Sequence, residues 1–492
     1  MTRWLMAPDS WRLDRMAVRY PVQRLAAGYR LLSTATGRLQ SAIRNLQSEI
    51  LSSRIAPRAS ILCFAVLALL FTASAIAEER FPPPDFSESG HQIPRLQDDL
   101  QRTPERRESY MPYVDLAMLV WTMALAAFFA LKLRSRPALV TLALICLGYF
   151  GFYRCGCICP IGAIQNVALA ASSPATYSLP LAVAGFFLLP LLFALFFGRV
   201  FCAAVCPLGA IQDLVILRPI QLPAWLREGL GLIPYVYLAL AVVVAALGAG
   251  FLICEYDPFV AIFRLDGSYN MLLLGGSLLV IALFVGRPYC RFLCPYGVLL
   301  SWLSPLARWK VKIHPENCVQ CRLCEESCPF DAINVPTPEA DPTRRREGKR
   351  GLTVALALIP LCLLAGSGLG CLSGPVLARL HAQVTLAEQV RAEELGTAKA
   401  TDESDAFRAH GGAPAELYKE AEQIRSQFRT GAALGGLFLG LVISLKLARL
   451  HLRRRRTLYE ADAGSCVACA RCYMTCPGEH ARLGLVGEGA PK

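Results

Sequence analysis

The stretch SLPLAVAGFFLLPLLFALFFGRVFCAAVCPLGAIQ, residues 178–212, decides the fold. Its first twenty or so residues carry no charge, which suits a helix crossing a hydrocarbon core of about 30 Å. Arg199 ends the apolar run, and Cys202 and Cys206 follow in the pattern C-x-x-x-C-P-x-G. The stretch therefore reads as a membrane span closed by a pair of thiols. Two other segments repeat the motif: Cys155-Gly-Cys157-Ile-Cys159-Pro-Ile-Gly-Ala-Ile-Gln and Cys290-Arg-Phe-Leu-Cys294-Pro-Tyr-Gly-Val-Leu.

Working outward, comparable apolar runs lie at about 113–131, 138–153, 232–253, 270–286, 352–370 and 431–449, which with 178–198 makes seven expected spans. The 492 residues are 54% hydrophobic and 18% charged, too apolar for a soluble chain of this size. The net charge of +13 comes from short basic clusters beside apolar runs. Such clusters point to anionic lipid headgroups as partners and away from nucleic acid.

Residues 1–60 hold ten Arg against three acids, and an apolar run over 61–72 leads to Ala75-Ile-Ala77. Together these read as a secretory signal ending at residue 77. Its depth leaves two alternatives, a true start downstream of Met1 or a basic membrane-surface arm over 1–55. A short outer segment, 78–112, would follow. Alternation from an outside start places Lys132, Arg134, Arg136, Arg199, Arg218 and the basic residues of 287–350 and 446–456 inside, whereas the short outer connections 154–177 and 254–268 hold only Arg154 and Arg264. This follows the positive-inside rule for a bacterial-type cytoplasmic membrane, with the C-terminus cytoplasmic. The first cysteine motif then falls outside and the other two inside, as in an inverted duplication. The loop 371–430 is expected outside, as two amphipathic helices around a polar break at 397–412.

Cys318-Val-Gln-Cys321-Arg-Leu-Cys324-Glu-Glu-Ser-Cys328-Pro is a complete C-x2-C-x2-C-x3-C-P run, and Cys466-Val-Ala-Cys469-Ala-Arg-Cys472-Tyr-Met-Thr-Cys476-Pro repeats it. In two-cluster ferredoxins three thiolates of such a run hold one cube and the fourth ligates the neighbouring cluster. The expected pairing is Cys318, Cys321, Cys324 and Cys476 on one [4Fe–4S] cluster, with Cys466, Cys469, Cys472 and Cys328 on the other. Zinc loops rarely space three cysteines so closely. A third cluster is expected at Cys202, Cys206, Cys290 and Cys294, at the inner ends of two spans. Cys155, Cys157, Cys159 and Cys254 form an outer set for which a redox centre and a disulfide both stand open. With none of the six histidines in an expected span, no haem is expected. Asp115, Glu255 and Asp257 are expected at membrane interfaces. No residue reads as catalytic.

The fold class is thus an all-α polytopic membrane bundle, with its transmembrane core over 113–310, and a small α+β ferredoxin-like cytoplasmic domain whose halves, 311–345 and 450–492, are split by two spans. The cysteine repeats, the ferredoxin-type run between spans and Tyr256-Asp257-Pro258-Phe259 resemble the membrane iron–sulfur proteins of the NosR and NapH type over roughly residues 113–480. The resemblance implies electron transfer between a quinol or cytoplasmic donor and an extracytoplasmic acceptor, as a component of an oxidoreductase system, with quinone a further candidate cofactor. The alternative is a maturation or regulatory factor for a periplasmic metalloenzyme. NosR-type proteins carry a flavin domain before their spans, for which residues 78–112 are too few. No flavin is therefore expected in this chain, and a separate flavin- or haem-bearing redox protein is the expected partner.

Overall fold

The computed structural model describes residues 110–156, 159–174, 177–217, 219–264, 269–313, 318, 320–337, 342–451 and 456–482. The signal-like segment, nearly all of 78–112, and Cys157 lie outside them. All described residues fall in the unit Glu79–Lys492. Helix α1 (Met111–Ala127) has Pro in its first turn, where a missing N–H costs nothing, and runs on as a π-helical stretch to Leu133. Helix α2 (Arg136–Cys146) starts at the Ser135 cap and likewise continues in π-helical form through Leu147–Tyr153, up to the first cysteine motif. The next helices are α3 (Pro160–Ser172), α4 (Leu181–Phe197), α5 (Pro207–Leu214), α6 (Ile233–Ala246), α7 (Leu252–Tyr256) and α8 (Tyr269–Ala282). After these come α9 (Pro288–Phe292) and α10 (Pro295–Leu303).

Among the described residues, five helical segments are long and apolar enough to cross a membrane: Met111–Leu133, Arg136–Tyr153, Ala224–Ala246, Ile359–Ala378 and Pro414–His451. At two further expected spans the helices are apolar but shorter, Leu181–Phe197 and Tyr269–Ala282. The segment 154–177, expected as a short connection, holds the 13-residue helix α3, packed beside α4 and α6. Its apolar residues look like part of a span in sequence, but Pro160 starts a new helix after the cysteines.

Helices α11 (Ile359–Ala378) and α14 (Pro414–His451) form a close hairpin. Gly366 and Gly370 of α11 sit against the backbone of Gly436 and Ala432, and a Cβ on Gly374 would come within 2.6 Å of Arg429 Cα. Small residues on one stripe let two backbones meet where lipid offers no hydrophobic drive. Leu361, Leu364, Leu372 and Val376 point away from the partner and are exposed, the surface a bilayer would cover. Between the two lie α12 (Ala382–Glu394) and α13 (Asp402–Ala409), the latter begun by a Thr401/Ser404 capping box. The second amphipathic helix expected here is instead the first part of the 38-residue α14.

Beyond the hairpin the chain returns to the region it left. Strand β1 (Ile333–Asn334) pairs antiparallel with β2 (Glu460–Ala461), Ile333 opposite Ala461. Leu119, Met123, Phe201, Cys206, Cys294, Ala468 and Tyr473 belong to one continuous buried core, so the second cysteine run is seated against the helical core.

Candidate functional site

The C-P-x-G motif has a local physical reason. In each copy the second Cys caps a helix and Pro fills its first position: Cys159 before α3, Cys206 before α5 and Cys294 before α10. Pro drives the preceding residue to extended backbone, and Cys206 (φ −69°, ψ 116°) and Cys294 (φ −65°, ψ 110°) adopt it. At Cys294 the thiol meets an open N–H group at the helix start. Cys294 Sγ accepts from Gly297 N at 3.3 Å. The Gly leaves room for a guanidinium, since a Cβ at Gly209 would stand 3.0 Å from Arg287 Nη1 and one at Gly297 3.4 Å from Arg199 Nη2.

Cys202, Cys206, Cys290 and Cys294 are brought together: Cys206 and Cys294 each lie within electrostatic range of the other three. Gln212 braces this near set, its Oε1 accepting from Tyr289 N at 3.0 Å and its Nε2 reaching Cys290 Sγ at 3.4 Å. Arg199 Nη2 points at Cys202 Sγ, 3.9 Å away. Among the described residues no three His, Cys, Asp or Glu side chains converge on a single ion. A cubane offers four separate iron corners, so its four thiolates stand farther apart than ligands of one ion.

The two ferredoxin-type runs fold alike. Gln320 (φ 52°) and Arg322 (φ 64°) in the first, and Ala468 (φ 54°) and Ala470 (φ 61°) in the second, take left-handed backbone at the same two positions of the motif. Alternating backbone of this kind turns successive N–H groups inward around an anion. Burial pushes the Cys324 thiol up to about 11, and its thiol neighbours are Cys321, Cys476 and Cys318. Burial likewise pushes Cys466 up to about 12, beside Cys469 and Cys328. Cys472 lies near Cys469, Cys466 and Cys328 and also near Cys324, so the two groups adjoin.

Arginines join these centres. Asp213 on α5 is paired with Arg136, with Arg287 at 3.3 Å and with Arg471 at 3.2 Å. Arg287 is 1% exposed and lies within electrostatic range of Cys290, Cys202 and Cys469. It also donates to the carbonyl oxygens of Cys202 and Ala203, while Arg136 Nη1 donates to Cys469 O at 3.2 Å and Arg199 Nη1 to Gly464 O at 2.9 Å. Nε of Arg199, Arg287 and Arg471 is buried with no protein acceptor. Soft thiol sets flanked by orphaned guanidinium donors fit anionic iron–sulfur clusters.

The far set differs from expectation in two respects. Cys159 lies near Cys254 and Asp257, but it is also within electrostatic range of Cys206 and Cys294. Cys159 is therefore a neighbour of the near set. Cys155 (φ 52°) and Gly156 (φ 62°), between α2 and α3, take left-handed backbone. Asp115, expected at an interface, is 1% exposed, paired with Arg154 and hydrogen-bonded by Tyr149 Oη at 2.8 Å. Asp257, also expected at an interface, is 4% exposed. A cavity of about 260 Å³ opens among Asp115, Arg154, Cys159, Cys254 and Asp257. Sequence reasoning missed Gln165, Gln212 and the arginine lattice, although both Gln residues sit in the repeated Gly-Ala-Ile-Gln tail.

Residues 136–172, 179–232 and 268–314 match one 4Fe–4S binding domain family, and residues 311–334 match another. A protein of Escherichia coli strain K12 provisionally named electron transport protein YccM is 31% identical over 121 residues, 23% of this chain and 34% of that one. An uncharacterized protein of Methanocaldococcus jannaschii is 32% identical over 96 residues, 20% of this chain and 40% of its own. Protein NirI of Paracoccus denitrificans strain Pd 1222 is 29% identical over 123 residues, 24% of this chain and 18% of its own. The chain thus spans well under half the length of these curated relatives. No solved structure matches it. With the apolar helices and the repeated thiol sets, these matches show 4Fe–4S binding segments in the chain and support a membrane-type iron–sulfur protein.

Proposed function

We propose that the chain is an electron carrier of the cytoplasmic membrane that links a quinol or cytoplasmic donor to an extracytoplasmic acceptor or flavoprotein partner. Its cofactors are two [4Fe–4S] clusters in a cytoplasmic ferredoxin-like unit, held by crossed ligation, and a third at the near set. Cys318, Cys321, Cys324 and Cys476 hold the first, Cys466, Cys469, Cys472 and Cys328 the second, and Cys202, Cys206, Cys290 and Cys294 the third. The clusters supply one-electron transfer. The observation that carries this reading is the seat of Arg287, which is 1% exposed, donates to the carbonyl oxygens of Cys202 and Ala203, and shares the Asp213 carboxylate with Arg471 of the second cysteine run. A fixed positive charge between two anionic centres offsets their repulsion and holds them adjacent across the membrane surface.

The other residues act by positioning. Arg136 and Arg471 tie the second span and the second ferredoxin run to the same carboxylate of Asp213. Arg199 ties the near set to Gly464, two residues before Cys466. Such fixed spacing favours repeated transfer over a single delivery. The test is turnover of the purified full chain with a reduced quinol analogue and a dye acceptor. Many electrons per molecule are expected, and a limit of a few per molecule would favour the maturation-factor reading.

A further inference from the structure

The near set is held by a recurring device, and the far set repeats it. Cys290 is the third residue of the short helix α9, and Cys254 is the third residue of α7. In each case the N–H of the preceding residue donates to a glutamine. Tyr289 N donates to Gln212 Oε1 at 3.0 Å, and Ile253 N to Gln165 Oε1 at 2.9 Å. The two glutamines hold the same place in their Cys-Pro-x-Gly-Ala-Ile-Gln segments. Gln212 Nε2 reaches the Cys290 thiol, whereas Gln165 Nε2 is buried with no protein acceptor. A Cβ at Gly162 would stand 3.1 Å from Cys254 Sγ, so the Gly of that motif makes room for the thiol.

The correspondence extends to Asp257. It precedes Pro258 as Cys294 precedes Pro295, and its backbone (φ −75°, ψ 111°) matches that of Cys294 (φ −65°, ψ 110°). Asp257 Oδ1 accepts from Phe259 N at 2.9 Å, as Cys294 Sγ accepts from Gly297 N. Cys155 lies four residues before Cys159, the interval that separates Cys202 from Cys206 and Cys290 from Cys294. Cys159, Cys254 and Asp257 border one cavity.

We propose that Cys155, Cys159, Cys254 and Asp257 ligate a fourth iron–sulfur cluster, with a carboxylate where the near set has a thiolate. The proposal rests on the reading of the chain as an iron–sulfur carrier and adds a site with its own donor chemistry. Oxygen is a harder donor than sulfur, so the iron held by Asp257 is bound least firmly. Gln165 Nε2 has the place from which Gln212 braces the near set. This centre would extend the series from the ferredoxin-like unit past the near set, because Cys159 neighbours both Cys206 and Cys294.

The test uses the full chain purified anaerobically in detergent, with iron and sulfide counting and electron paramagnetic resonance of the wild type, Cys254→Ser, Asp257→Ala and Asp257→Cys. Signals of the ferredoxin-like clusters report folding in every sample. Cys254→Ser is expected to lose about a quarter of the iron, one cluster of four. Asp257→Ala is expected to gain the signal of an oxidised three-iron cluster. Asp257→Cys is expected to keep the iron and to shift one midpoint potential while the others stay. Unchanged iron, signals and potentials in all three variants would overturn the proposal, as would a disulfide among Cys155, Cys159 and Cys254 in the wild type. If Asp257→Ala does not accumulate, Asp257→Cys decides by the presence or absence of that shift. A wild type without any cluster signal would instead defeat the function proposed above.

Discussion

Replacing Asp213 with Asn should loosen the ferredoxin-like unit from the helical core. The carboxylate side chain is 8% exposed and pairs with Arg287 at 1%, Arg136 at 11% and Arg471 at 25% exposure. Removing one partner of a buried ion pair typically costs about 3–5 kcal/mol. Arg136 and Arg287 keep backbone carbonyl acceptors and Arg471 is partly hydrated, so the low end, about 3 kcal/mol, applies. That is roughly a hundredfold in the unfolding equilibrium. Burial alone would raise the Asp213 carboxyl, but Arg287, Arg136 and Arg471 hold it well below the usual carboxylate range. A depressed folded value means the stabilisation is complete above the unfolded carboxylate pKa of about 3.9 and is lost as pH falls through the folded value. The full difference between wild type and variant should therefore appear between about pH 5 and 8 and shrink only in strong acid. The assay is a denaturant titration in detergent, following bleaching of cluster absorbance and protease cleavage in the C-terminal segment. A midpoint shift worth less than about 0.5 kcal/mol at pH 7 would refute the reasoning, since it would mean the three guanidiniums do not depend on this carboxylate.

Gln212→Leu removes the donor to Cys290 Sγ and is expected to lower the midpoint potential of the near-set cluster in an electron paramagnetic resonance redox titration, leaving the ferredoxin-like potentials in place. A chain truncated after Lys446 is expected to lose both ferredoxin-type signals, because each group of four thiols draws on both runs; a complete first-cluster spectrum would contradict crossed ligation. Gly370→Leu places a side chain against the Ala432 backbone and is expected to separate α11 from α14, read as loss of crosslinking between cysteines introduced at positions 369 and 433. Impermeant thiol labelling of whole cells is expected to modify cysteines introduced in 382–409 and to spare those in 320–337, and the reverse pattern would invert the topology.

The sequence was most readable where the physics is local or periodic. Apolar runs marked the long helices, and the spacing of Cys318 to Cys328 and Cys466 to Cys476 marked two loops that share their left-handed positions. Helix α3 was hidden because 154–177 follows the end of an apolar run and reads as a short connection, and the decisive turn at Cys155 and Gly156 depends on backbone torsion. Asp257 reads as interfacial because it lies at the outer end of an expected span, and its motif is one residue shorter than C-x-x-x-C-P and ends in a carboxylate. Only the matched backbone angles of Asp257 and Cys294 bring the two together. The arginine lattice joins residues as distant in sequence as Arg136 and Arg471, a relation that no local pattern encodes.

The pairing of Ile333 with Ala461 has a consequence for biosynthesis. A ribosome releases the first ferredoxin-type run long before the second, and the α11–α14 hairpin must be made and threaded by the insertion machinery in between. Until that happens the early thiols lack the strand and the cysteine that complete their surroundings. On the proposed crossed ligation, iron loading of this unit would have to follow synthesis of that hairpin, so a chain stalled before its C-terminal segment would stay redox-silent.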